Sequence, residues 1–101
     1  MLAVWTAFQK AVAANDSKAV SALSHFPVRA NDLGGNIASE AALTKRFATI
    51  FQPWVKTCFK HAGPEVDTAS KEYLINCNGY FFGFKKYGGR YRFAYINNVN
   101  E

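Results

Sequence analysis

The sequence predicts an α+β domain, with helices in the first half and antiparallel strands in the second. Three observations lead there. Apolar residues recur at helical spacing from Leu2 to Phe59. From Tyr80 to Phe84 and from Tyr91 to Tyr95, aromatic residues instead occupy every second position, as on one face of a strand. Asn78-Gly79 and Gly88-Gly89 interrupt the second half at places where a hairpin needs positive φ. Helical and extended patterns are thus segregated along the chain, which favours α+β over an alternating α/β architecture. With 101 residues, half of them apolar, the chain (1–101) is expected to be one domain with enough material for a core.

Leu2, Trp5, Phe8 and Val12 keep near-helical spacing, with Gln9 and Lys10 for the wet side, so a first amphipathic helix is expected from Leu2 to Ala14. Asn15 and Asp16 offer a turn and an N-cap. Ser17 to Ser24 then forms a short second helix whose buried stripe is Val20 and Leu23. Pro27 stops it, and Phe26, preceding a proline, is pushed toward extended backbone, so a short strand is expected from Pro27 to Asn31. The cluster from Asn31 to Asn36 is a turn. Its Gly34-Gly35 pair lacks the spacing and the Lys-Ser/Thr ending of a phosphate loop. Ser39 caps a third helix in which Leu43, Phe47, Ile50 and Trp54 repeat at i, i+4, i+7 and i+11. Pro53 interrupts that pattern, and the helix is expected to restart there. The restarted segment has an apolar stripe of Trp54, Val55, Cys58 and Phe59 and a polar one of Lys56, Thr57, Lys60 and His61. With the restart counted as part of the third, three N-terminal helices precede the sheet. Ala62-Gly63-Pro64 closes the helical half, Glu65 to Lys71 is a polar connection with a short strand near Val66, and Tyr73 to Ile96 is the aromatic sheet.

The net charge is +5, which suits an acidic partner, nucleic acid or an anionic surface. No acid lies between Glu72 and Glu101, whereas Lys85, Lys86, Arg90 and Arg92 do. These four are candidates for an acidic-partner surface. The plainer account is that they are solvated hairpin residues that keep strand edges from aggregating. No apolar run is long enough to cross a bilayer, and the first ten residues lack the charged and apolar regions of a signal peptide. A periplasmic or secreted location is expected only if an export signal has been removed ahead of Met1.

Several stretches together resemble small bacterial members of the nuclear transport factor 2-like superfamily. They are Phe8-Gln9-Lys10-Ala11-Val12 with Asn15-Asp16, Phe26-Pro27-Val28, the run Phe47 to Pro53, Asn78-Gly79-Tyr80-Phe81-Phe82, Gly89-Arg90-Tyr91 and Ala94 to Asn98. The resemblance implies a cystatin-like cone or roll, a strongly bent antiparallel sheet wrapped around three helices with a pocket between them. It also implies frequent export, frequent dimerisation through the outer face of the sheet, small apolar ligands in some members and isomerase, cyclase or dehydratase activity in a minority. One such fold hosts unrelated functions, so function has to come from a site.

The expected pocket lining is Trp54, Tyr80, Phe82, Tyr91, Phe93 and Tyr95, and the leading expectation is a non-catalytic binding domain for a small apolar or amphipathic ligand or an acidic protein partner. An isomerase- or dehydratase-type enzyme is the alternative. It would need a pocket base beside a tyrosine hydroxyl. Asp16, Asp32 and Asp67 all fall in caps or loops, leaving Glu72 and His25, and no catalytic residue is assigned. Single-stranded nucleic-acid binding is a third reading, since Asn78 to Phe84 echoes an RNA-recognition motif. That echo fails at its basic first position and at its small and branched positions.

Cys58 and Cys77 leave two accounts open, a disulfide worth about 3 kcal/mol for a loop of that size or two buried thiols. No cofactor or metal is expected. Cys58-x-x-His61 has ligand-like spacing, but Cys77 and His25 are isolated where zinc sites usually pair two clusters.

Overall fold

The computed structural model describes residues 1–98; residues 99–101 of the expected domain lie outside the described residues. The elements are α1 (Leu2–Ala13), α2 (Ser17–Ala22), β1 (Ser24–Arg29), a 3-10 turn (Asn31–Leu33), α3 (Glu40–Ile50), α4 (Pro53–His61), β2 (Glu65–Val66), β3 (Tyr73–Cys77), β4 (Tyr80–Tyr87) and β5 (Arg90–Asn98). The class is α+β, with helices packed on one bent five-stranded sheet of order β1-β5-β4-β3-β2.

Helix boundaries follow local chemistry. The Asp16 side chain accepts from Ala19 N at 3.0 Å, and Ser39 Oγ accepts from Ala42 N at 3.3 Å, each satisfying a donor of the first turn. Pro53 sits at the first turn of α4, where its missing N–H costs nothing. The restart is therefore complete, and four helices stand where three were expected. Leu23 caps α2 and Ser24 already belongs to β1, so β1 begins earlier than the expected Pro27. Pro27 is tolerated because β1 is an edge strand.

The expected antiparallel sheet is corrected to a mixed one. β2, β3, β4 and β5 pair antiparallel, but β1 runs parallel to β5, with Ser24 opposite Phe93 and Arg29 opposite Tyr95. A parallel pair needs a long crossover. Here everything from the 3-10 turn through β4 separates the two strands in sequence.

Register decides which side chains face the helices. Phe82 pairs with Ile75 and Ile96, and Phe84 with Tyr73 and Phe93, so these residues share the inner face with Tyr80, Cys77 and Tyr91. Phe8 of α1 anchors that face from above. Its ring centroid lies 5.0 Å from Phe93, 5.1 Å from Phe84, 5.9 Å from Phe51 and 6.0 Å from Phe59. Trp5 meets Phe59 at 5.1 Å, and Phe59 meets Phe82 at 5.0 Å, both edge to face. Phe8, Phe51, Phe82, Phe84 and Phe93 are each 1% exposed or less. Rings fill the inside of this fold.

Candidate functional site

β5 carries an irregularity that reassigns one side of the sheet. Gly83 pairs with Tyr95 and Phe84 with Phe93, so Ala94 is an extra residue on β5, a β-bulge. Before the bulge Tyr91 and Phe93 face inward; after it Ile96 does, opposite Phe82. Tyr95 is thereby turned to the outer face, which corrects the expectation that Tyr91, Phe93 and Tyr95 share one side. Its ring covers Gly83 closely. A Cβ there would meet Tyr95 Cζ, Cε1 and Cε2 closer than 3.0 Å.

The outer face around Tyr95 is polar and open. Arg29, Asn31, Glu72, Lys85, Tyr95 and Asn97 line a cleft of about 380 Å³. The Tyr95 hydroxyl donates to Glu72 Oε1 at 3.1 Å, Lys85 Nζ lies 3.9 Å from Glu72 Oε2, and the same ammonium sits 5.5 Å from the Tyr95 ring centroid. Burial first, and then the charge and hydrogen bond of Glu72, hold the Tyr95 hydroxyl well above the ordinary phenol range. Tyr95 therefore stays a protonated donor at neutral pH. Phe81 and Leu74, half-buried, lie on the same side by register, and His25 stacks on Tyr87 at 3.8 Å between centroids.

The six aromatic residues expected to line one pocket are distributed differently. Phe82 and Phe93 are core. Trp54 and Tyr80 meet edge to face at 5.3 Å and flank a small cleft of about 160 Å³ with Leu33, Ile50 and Val55. Tyr91 packs edge to face on Tyr73 at 5.1 Å, near the end of the sheet, and its hydroxyl donates to Lys71 O at 3.4 Å. Tyr95 is outside.

The four basic residues divide three to one by register: Lys85, Arg90 and Arg92 fall on the outer face, since Lys85 pairs with Arg92 and Tyr87 with Arg90, and Lys86 falls on the inner one. Lys85 belongs to the outer cleft. Lys86, paired with the inward-facing Tyr91, places its ammonium 5.8 Å from that ring. Arg90 is exposed at the start of β5, and Arg92 Nη1 donates to Ala22 O at 3.0 Å. Arg29 joins Lys85 in the cleft. Sequence reasoning missed it because β1 and β5 meet only through the non-local parallel pairing.

Cys58 and Cys77 form a disulfide, with Cα atoms 5.9 Å apart, and so link α4 to β3. Neither is available as a thiolate. Among the described residues, no three His, Cys, Asp or Glu side chains converge to hold a metal ion, and no helix is long and apolar enough to cross a membrane. No protein family, curated protein or solved structure matches the chain.

Proposed function

We propose that this chain is a non-catalytic binding module of the nuclear transport factor 2-like kind that docks an acidic protein segment on the outer face of its sheet. The observation that carries the reading is the composition of that face. Half-buried Tyr95, Phe81, Leu74 and Tyr87 stand beside Arg29 and Lys85, with Glu72 as the one acid of the cleft. Tyrosine, phenylalanine and arginine are residues that protein interfaces concentrate: the aromatics give large contact area with few rotors to freeze, and arginine adds a planar charged fork that matches a carboxylate. The inner face, by contrast, is packed with Phe8, Phe51 and Phe59, so its rings are occupied by the fold itself.

Charge favours an acidic partner over a second copy, since a two-fold contact would oppose the same basic face to itself. The disulfide fits an oxidising, extracytoplasmic compartment. To test the reading, an acidic peptide containing aromatic residues is titrated into labelled protein and followed by amide shifts. Shifts on β4 and β5 that weaken with salt and fade in an Arg29→Ser/Lys85→Ser variant support it. Equal shifts with a neutral peptide of the same aromatic content would sink it.

One observation favours a second reading. The Glu72–Tyr95 pair is a carboxylate beside a tyrosine hydroxyl, the arrangement an isomerase- or dehydratase-type site requires. Any such turnover has to disappear in both Glu72→Gln and Tyr95→Phe.

A further inference from the structure

Glu72 fills part of the outer cleft with its own carboxylate. Oε1 accepts from the Tyr95 hydroxyl at 3.1 Å and Oε2 lies 3.9 Å from Lys85 Nζ, so one group takes both the hydroxyl and the ammonium that line the cleft. Arg29, set beside Tyr95 by the parallel pairing, is exposed and has no hydrogen-bond or ion-pair partner among the described residues. The backbone of Glu72 is fixed: its N–H donates to Ser70 Oγ at 3.3 Å and its carbonyl accepts from Asp67 N at 2.8 Å. Its side chain is freer. The Glu72 side chain is 26% exposed and that of Lys85 is 39% exposed, so the carboxylate reaches water by rotation about its own bonds while Tyr95 and Lys85 stay in place. An ion pair this open adds little to stability.

We propose, on the basis of the acidic-segment docking described above, that Glu72 holds the seat of the partner's carboxylate: an Asp or Glu side chain of the segment, drawn in by Arg29, displaces Glu72 and takes the Tyr95 hydroxyl and the Lys85 ammonium in its place. The present occupant shows what the seat accepts. Exchanging one carboxylate for another replaces each contact like for like, so the seat itself adds little affinity. A segment gains only if it also meets Arg29 and covers Phe81 and Leu74, which are half-buried on the same side. Glu72 thereby sets a threshold. Apparent affinity is reduced by the fraction of molecules in which the seat is vacant.

The test titrates a blocked Glu-Phe-Glu-Phe-Glu peptide into intact labelled wild type, Glu72→Gln, Glu72→Ser and Glu65→Gln, followed by amide shifts. Glu65 is exposed, pairs with Leu74 on the same side and does not line the cleft, so its variant measures what the loss of one negative charge does by itself. Binding should tighten about fivefold in both Glu72 variants, as expected for vacating one partly exposed charged contact. In Glu65→Gln it should change by less than about twofold, because that charge is screened. Adding Tyr95→Phe should cancel most of the gain in Glu72→Gln and change the wild type little, where the loss falls on Glu72 and the ligand alike. Unchanged amide dispersion away from the cleft checks each fold. Equal tightening in Glu65→Gln, or binding that the Glu72 variants leave unchanged or weaken, overturns the seat and leaves the docking face standing. Absence of salt-sensitive binding to every variant sinks both.

Discussion

Replacing Gly83 with alanine tests the geometry on which the outer face depends. At an extended position with nothing above it, this change would be neutral or would stabilise by about 0.4–1 kcal/mol, because alanine narrows the unfolded ensemble. Here the new methyl carbon would lie only 2.0–2.4 Å from three ring carbons of Tyr95. The ring must move, and overpacking of this kind costs about 1–3 kcal/mol. Moving it also breaks the hydrogen bond to Glu72. A bond to a charged acceptor is worth about 1.5–3 kcal/mol when buried, and partial exposure of Glu72 reduces that to about 1. The expected loss is therefore about 3 kcal/mol, or roughly 12–24 °C in Tm for a domain of this size. Urea denaturation of the wild type, Gly83→Ala, Tyr95→Ala and the double variant closes a thermodynamic cycle. With the ring gone, Gly83→Ala should cost less than about 0.5 kcal/mol, since the sites couple only by contact. The same penalty in both backgrounds would refute the stacking of Tyr95 on Gly83, and with it the assignment of Tyr95 to the outer face.

Two further outcomes follow from the same structure. In an alkaline ultraviolet titration, the difference between the wild type and Tyr95→Phe should be flat through the ordinary phenol range near ~10 and appear only at higher pH. Because its folded value is raised, this phenol's contribution to stability is fully present below the unfolded value and is lost as pH rises through the folded one; a difference at the ordinary range would show that the hydroxyl is neither buried nor held by Glu72. Replacing both Cys58 and Cys77 with alanine should cost about 3 kcal/mol by loop closure, read as a lower urea midpoint, and an unchanged midpoint would mean that the bond does not constrain the unfolded chain.

Much of the fold was legible because its signals are local. A capping side chain acts within three residues, so Asp16 and Ser39 announce their helices, and Pro53 announces a restart for the same reason. The alternation Tyr80, Phe82, Phe84 gives the inner face of β4 directly, because a strand has a period of two. The site was less legible. Gly83, a glycine amid aromatic strand residues, was the available sign of a close approach or bulge, but it does not say which ring approaches.

The sequence by itself therefore determined the α+β class, the starts of α2, α3 and α4 and the inner face of β4, all of which are set by forces acting within a turn or along a strand. Only the tertiary structure decided that β1 lies parallel beside β5, bringing Arg29 next to Tyr95, and that Cys58 reaches Cys77. It also decided the direction of Tyr95. One extra residue at Ala94 inverts the parity of everything after it, and a bulge is fixed by pairing with a neighbouring strand, which no single segment encodes.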